Sequence, residues 1–415
     1  MSPVSASTDA ATDPVIVATA RSPIGRAFKG SLTEMRPDDM TAQIVTKLLD
    51  KVPDLPRDEI EDLMLGCGQP GGEAGFNIAR ASAILAGLEN VPGTTVNRYC
   101  SSSLQTIRMA AHAIRAGEGD AFISAGVECV SRYTKGNSDS LPGTTNPQFQ
   151  APGERTKVRS EGGHGDWTPA GGVLPDLYIA MGQTAENVAE HRNVSRQAMD
   201  EYGVMSQNKA EAAIARGFFE MDITPLELPD GTIVSADDGP RAGVTYDAVS
   251  QLKPVFRPDG RVTAANACPL NDGAAAVLVM SRKRAEELGI TPLARIISSA
   301  VSALNPEIMG LGPIEACKKA LERAGMTMSD IDMVEINEAF AAQVIPSADE
   351  LGIDMVDQLN LHGGAIALGH PFGMTGARIM TTLLNGLGDR DKTFGLESMC
   401  VGGGQGMAMI VERLS

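Results

Sequence analysis

At 415 residues the chain is too long for one ordinary core, so two or three packed units are expected. Hydrophobic residues make up 43% and charged residues 21%, the balance of a globular protein, and 4% aromatics beside 45 glycines suit close helix–sheet packing in an α/β fold. The net charge of −17, with no Lys/Arg-rich run, argues against nucleic-acid binding, and any polyanionic ligand must be held by a local basic patch.

Met1 to Asp13 read as a loose Ser/Ala/Thr/Asp-rich tail, without the basic and apolar regions of a signal peptide. The last residues are not a peroxisomal address, and no apolar run is long enough for a membrane span. The cysteines at 67, 100, 129, 268, 317 and 400 are widely spaced and form no C-x-x-C pair. Reduced thiols in the cytoplasm, with no metal site and no disulfide framework, are the simpler expectation.

Residues 41–68 predict a helix through Ala42, Ile44, Val45, Leu48 and Leu49, then a bend at Glu59-Ile60-Glu61 into an apolar strand. Cys100 follows in Asn97-Arg98-Tyr99-Cys100-Ser101-Ser102-Ser103. Those serines suit a helix start, and a thiolate at a helix N-terminus gains from unpaired N–H groups and the macrodipole. That is what a nucleophilic cysteine needs; a small buried core residue is the plain alternative. A helix pattern (Leu104, Ile107, Ala111, Ile114) and a strand at Ala121–Gly126 come next.

Residues 132–251 differ. Their first part is rich in Gly, Pro, Ser, Asn and Thr, and helical pattern returns around 183–217, so the stretch reads as an inserted cap over a site. Ala274 to Met280 is a buried strand. The opening pattern then repeats: a helix through Ile314, Cys317, Ala320 and Leu321, a bend at Asp330-Ile331-Asp332, and a strand to Ile336. Ile60 and Ile331 correspond at an offset of 271 residues, which also carries Cys100 to Pro371, and the segment from Lys392 to Cys400 matches the earlier strand. Two homologous halves are the economical reading.

Chemistry gathers in the second half. Asn337-Glu338 follow the strand ending at Ile336, the usual site position of a parallel sheet, though a helix cap is the bland reading. His370 stands among glycines in Gly363-Gly364-Ala365-Ile366-Ala367-Leu368-Gly369-His370-Pro371, where it could accept the Cys100 proton or donate to a thioester oxygen, or merely cap a turn. Surface or core roles suit His112, His164 and His191 better. Cys400 leaves a strand into Val401-Gly402-Gly403-Gly404, whose backbone amides could stabilise an oxyanion. A phosphate cradle would need a following helix, and Met407 to Val411 reads as strand.

Taken together, the N-R-x-C-S-S element, Met181-Gly182-Gln183-Thr184-Ala185-Glu186-Asn187-Val188, Asn271-Asp272-Gly273, N-E-A-F, G-G-A-I-A-L-G-H-P and C-x-G-G-G-x-G occur in an order that resembles the thiolase family. The resemblance covers the chain after its tail. It implies a duplicated five-layer αβαβα core, with 14–131 and 252–284 as the first half, 132–251 as a CoA-capping loop domain and 285–415 as the second half. It also implies ping-pong acyl transfer between carbon and CoA sulfur, that is, an acetyl-CoA C-acetyltransferase or C-acyltransferase. Cys100 would be the nucleophile, Cys400 the acid/base, His370 the activator and Asn337 the holder of a water. The Cys100 and Gly402 amides would form an oxyanion hole. Arg241, Cys268, Met181 and Glu338 would line the CoA and acyl-binding side, Glu338 as support.

The resemblance further implies no cofactor beyond CoA and acyl-CoA thioesters, and a homodimer or homotetramer. Three departures from the family pattern, Ser103, Cys268 and His362, are expected to touch the substrate tunnel. A decarboxylating ketoacyl synthase of the same fold is the alternative, against which Cys400 argues. A silent CoA-binding scaffold conflicts with the full set of reactive residues, and a Cys–His protease with the duplicated pattern.

Overall fold

The computed structural model describes residues 9–139, 141–163 and 172–415; His164 lies outside them. The tail is shorter than expected, because Ala10–Thr12 form a 3-10 turn capped by Asp9, and the Asp13 carbonyl accepts the Arg282 N–H at 2.9 Å.

The first half runs β1 (Pro14–Arg21), α1 (Pro37–Asp50), β2 (Asp62–Cys67), α2 (Ile78–Leu85), β3 (Gly93–Val96), α3 (Ser102–Ala116) and β4 (Ala121–Cys129). α1 starts where the sequence favours a start. Pro37 sits in its first turn with Asp38 and Asp39, and its buried stripe is Met40, Ile44, Val45 and Leu48. The chain then crosses the insertion, with α4 (Gln150–Ser160), α5 (Met181–His191) and α6 (Arg196–Ala215), before β5 (Asn271–Ser281) rejoins the first sheet. The second half is β6 (Ala294–Ala303), α7 (Gly312–Ala324), β7 (Met333–Ile336), α8 (Ala341–Leu351), α9 (Thr375–Asp389), β8 (Phe394–Val401) and β9 (Gln405–Arg413).

Strand order is β7-β8-β9-β6-β1-β5-β4-β2-β3. Reading outward from the β1/β6 junction, the two halves match: β1 with β6, β5 with β9, β4 with β8, β2 with β7. β2 is parallel to β3 and β4, β7 is parallel to β8, and the other pairings of the order are antiparallel. The strand pairing between the halves is brief, at Val15↔Arg295 and Ile16↔Ala294.

Three hydrophobic clusters define five layers. One lies under α1 and α2 outside the first half, one is built around α3 and α9 between the halves, and one lies under α7 and α8 outside the second. The thiolase-type αβαβα sandwich expected from the sequence is the fold observed. α5 and α6 rest on α8 of the second half, although their chain is inserted in the first.

Two expectations need correction. The strand expected from Lys392 begins at Phe394, because the Thr393 and Phe394 amides are taken by the Asp332 carboxylate. The repeat also drifts by two residues. The turn before α3 is Tyr99–Ser101 and its partner before α9 is Phe372–Met374, so Cys100 corresponds to Gly373 and not Pro371.

Candidate active site

The corner that carries Cys100 is wound tightly. Tyr99 takes a left-handed backbone (φ 42), a costly conformation for a tyrosine, and its N–H donates to Asn97 Oδ1 at 2.8 Å. Ser102 Oγ accepts from the Arg98 N–H at 2.9 Å and donates to the Tyr99 carbonyl at 2.7 Å. This presents Cys100 in the turn that opens α3, with the Gly402 amide directed at its sulfur. Arg98 donates to Gln105 and to Gln405 at 3.0 and 2.8 Å, and Gln405 donates to the Gly402 carbonyl at 3.2 Å. One arginine thereby ties the Cys100 turn to the glycine loop of the other half.

His370 is fully buried and held from three sides. Its N–H donates to Asn271 Oδ1 at 2.9 Å, Nδ1 lies 2.6 Å from Thr375 Oγ1, and Nε2 lies 3.2 Å from Asn337 Nδ2. The Thr375 hydroxyl donates its only proton to the Pro371 carbonyl at 2.8 Å. Nδ1 must then be the protonated nitrogen, which leaves the Nε2 lone pair to accept a proton. Gly369 before it has φ 113, and a Cβ there would stand 2.7 Å from the Asn271 amide, so the loop requires glycine.

Asn337 ends β7. Its backbone N–H donates to the Ser398 carbonyl, its own carbonyl accepts from Gln343, and its buried Oδ1 has no partner among the described residues. That oxygen is available to a water or a substrate group. Cys400 ends β8, opposite Gly406 on β9, and the Cys100, Cys268 and Cys400 thiols are close enough for their charges to interact.

The sequence comparisons agree with this arrangement. A model of the thiolase N-terminal domain matches residues 14–283, and one of the thiolase C-terminal domain matches 290–413. The chain belongs to the thiolase family. It is 43% identical over 411 residues to a 3-ketoacyl-CoA thiolase of Aeromonas hydrophila, covering 97% of this chain and 100% of that protein. The dimeric peroxisomal thiolase of Saccharomyces cerevisiae superposes with a TM-score of 0.86 at 36% identity, covering 97% of this chain and 98% of that one. A Bacillus anthracis acetyl-CoA acetyltransferase gives 0.83 at 36%, covering 97% and 99%. As a thiolase this is an acyltransferase, a reading favoured over the decarboxylating synthase.

In this thiolase the resting protonation differs from the sequence expectation. Burial pushes the Cys100 thiol up to about 11, which outweighs the Gly402 amide, so Cys100 rests as a thiol and not a thiolate. Burial, with Arg378 second, pushes His370 down to about 3, so its imidazole rests uncharged. Burial likewise lifts Cys400 well above its ordinary value, with Cys100 and Cys268 adding to the effect.

The residues expected on the substrate side separate. Cys268 sits by the two thiols, its N–H bonded to the Ala339 carbonyl at 3.0 Å. Met181 opens α5 and packs, half-buried, on the cluster that contains Phe340. Arg241 is exposed, and its backbone N–H donates to the Gln207 side-chain oxygen. Glu338 is not a CoA contact. Its carboxylate accepts from Tyr202, Ser206, Asn360 and the Ile366 amide, which uses all four lone pairs and leaves none for substrate.

Ser103 and His362 are both engaged by neighbouring side chains and backbone of the protein. Ser103 is fully buried, and its Oγ accepts from the Ala377 N–H in the first turn of α9 at 2.9 Å. His362 stacks on Phe218 at 3.8 Å, near Asp389 at the far end of α9, about 21 Å of helix from Thr375.

Sequence reasoning missed Thr375, Asn271 and Glu128. Glu128 is buried and accepts from the Gly68, Gln69 and Gly373 amides and the Tyr133 hydroxyl, joining the loop after β2 to the turn before α9. A Thr five residues after the histidine was visible; the pairing of Glu128 with Gly373 across 245 residues was not.

Proposed function

We propose that the chain cleaves 3-ketoacyl-CoA with free CoA and, in reverse, condenses acetyl-CoA with an acyl group. The carrying observation is a buried thiol, Cys100, together with a buried imidazole whose Nδ1 carries the hydrogen, so that the Nε2 lone pair, facing the Asn337 amide at 3.2 Å, is the one that can accept a proton. His370 takes the Cys100 proton as Sγ attacks the 3-keto carbon. The Gly402 amide, directed at the sulfur, and the Cys100 amide stabilise the oxyanion. The C2–C3 bond breaks, Cys400 protonates the departing α-carbon, and acetyl-CoA leaves acyl-Cys100. Cys400, now a thiolate, takes the proton of the CoA thiol as its sulfur attacks the acyl carbon, and the His370 imidazolium returns its proton to Cys100 as that sulfur leaves. Asn337 Oδ1 holds a water beside His370.

No cofactor enters beyond the CoA thioesters. The segment 132–251 serves as the CoA cap, with Arg241 offering charge to the phosphates and Cys268 and Met181 bordering the thioester arm and acyl group. The halves are taken as 14–131 with 252–284, and 285–415. A homodimer is the assembly proposed. β3 ends the sheet order with one edge bare, and beside it Phe76 stands fully exposed with Ile84 and Leu85 of α2 half out in solvent. The cytoplasm is the proposed compartment, supported by six free cysteines.

The test is CoA-dependent loss of enolate absorbance from 3-ketoacyl-CoAs of increasing length, with Cys100→Ala as control. Cleavage by the wild type that disappears in the variant supports the reading. A wild type inactive at every length defeats it, and activity on acetoacetyl-CoA alone moves it to an acetyl-CoA acetyltransferase.

A further inference from the structure

Gln343, in the first turn of α8, is a buried polar residue that the chemistry above does not use. A glutamine three residues into a helix commonly turns back to cap the N–H that precedes the first turn. This one does not. Its Nε2 reaches past the cap residue Phe340 and donates to the Asn337 carbonyl at 2.7 Å, while its Oε1 is buried with no hydrogen-bond partner among the described residues. A carbonyl can only accept, so the orientation of the amide is fixed. The bond it makes is offset by the acceptor it leaves unpaired, and stability alone does not account for the residue.

The glutamine is held so that it cannot swing away. Gly310, in the 3-10 turn Pro306–Leu311, faces it so closely that a Cβ on Gly310 would stand 2.6 Å from the Gln343 Cβ and 3.4 Å from Val188 Cγ2 of α5. That turn is bound to the insertion. The Glu307 carbonyl accepts from Asn187 Nδ2, and the Glu307 carboxylate accepts from the Asp176 N–H, both at 2.9 Å. On its other side Gln343 meets Asn337, whose two backbone polar groups are both taken. The N–H donates to the Ser398 carbonyl of β8 at 2.9 Å, and the carbonyl accepts from Gln343. With its peptide clamped between β8 and α8, Asn337 places Nδ2 3.2 Å from His370 Nε2. An unbroken line of contacts therefore runs from α5 through Gly310 and Gln343 to Asn337 and His370.

We propose that Gln343 is a positioning residue for acyl transfer, which fixes the Asn337 peptide and so sets the Asn337 carboxamide against the His370 imidazole. The Gly310 turn and α5 of the insertion keep the glutamine seated. Acting through Asn337, it governs turnover and not substrate affinity. A displacement of about 1 Å in a positioned group can cost about 100-fold in rate, so a single hydrogen bond at this point has leverage.

This inference rests on the assignment of Cys100, His370 and Asn337 to the reaction centre, and the test separates the two. CoA-dependent cleavage of 3-ketoacyl-CoAs by the full-length enzyme is measured for Gln343→Met, Asn337→Ala, their double variant and Cys100→Ala. Methionine keeps the length of the side chain and removes the donor. In Gln343→Met, kcat should fall about tenfold, the worth of one buried hydrogen bond, with KM changed by less than about twofold. The same substitution should cost nothing further in Asn337→Ala, because the carboxamide it positions is already gone. A glutamine that merely supported the fold would slow both backgrounds alike. Should the Met variant not fold, Gly310→Ala presses on the Gln343 side chain from its other side, and the same two backgrounds are compared. An unchanged kcat, or equal losses in both backgrounds, overturns the inference. Cleavage that survives at the wild-type rate in Cys100→Ala or Asn337→Ala overturns the site assignment instead.

Discussion

Thr375 Oγ1 lies 2.6 Å from His370 Nδ1 and donates its own hydrogen bond to the Pro371 carbonyl, so a helix-start threonine sets the tautomer of the imidazole. Thr375→Val should leave a buried Nδ1–H unpaired, at a cost of about 1–3 kcal/mol. The expected result is a fall of about 10–100-fold in kcat/KM for 3-ketoacyl-CoA cleavage, with Thr375→Ser recovering most of it. Enolate absorbance gives the rates, and a valine variant as fast as wild type would remove Thr375 from the account.

Glu128 accepts three backbone amides and the Tyr133 hydroxyl in full burial. Glu128→Gln puts an NH2 donor where only donors point. A loss of about 2–4 kcal/mol is expected from the lost bonds and the facing donors, read as a lower urea midpoint at unchanged m. Activity should fall as well, because Gly373 and Gly68 lose their common anchor.

His362 gives the fold an acid-sensitive window. Burial lowers it to about 4 in the folded state against 6.5 when free, with Arg216 and Arg390 contributing after burial. Between those values the unfolded chain binds the proton and the folded one does not. The stability of the uncharged form is thus complete above about 6.5 and is lost as pH falls toward 4. The loss is at most about 3 kcal/mol. His362→Leu should flatten that part of the profile relative to wild type in urea titrations at pH 5 and 7; parallel profiles would contradict it.

Gly376 in the first turn of α9 lies against α3, and a Cβ there would sit 2.3 Å from the Leu104 backbone nitrogen. Gly376→Ala should cost about 1–3 kcal/mol by overpacking and should lower kcat more than it raises KM. The helices it forces apart carry Cys100 and the threonine behind His370. Denaturation and steady-state kinetics on one preparation test both halves of the expectation.

Much of this was legible in the chain. The repeat could be seen because Ile60 and Ile331 occupy equivalent bends into equivalent strands. Cys100, His370, Cys400 and Asn337 could be named because reactive side chains beside serines, glycines or a strand end carry a chemical meaning locally. What stayed hidden depends on distance in the chain. That Glu338 spends its lone pairs on Tyr202, Ser206 and Asn360, or that His362 finds Phe218, follows from tertiary packing. The protonation state of Cys100 was misjudged for the same reason. A helix start is visible in sequence, whereas the desolvation that outweighs it is not.

The correspondence of Cys100 with Gly373 bears on the duplication. A Cβ at Gly373 would come within 2.3 Å of the Val127 carbonyl and 2.7 Å of the Gly66 carbonyl, so the second turn has no room for a nucleophile of its own. The two turns therefore cannot be made alike: a side chain at Gly373 would push the second turn off the strands that carry Gly66 and Val127, so the duplication of the fold does not extend to its chemistry.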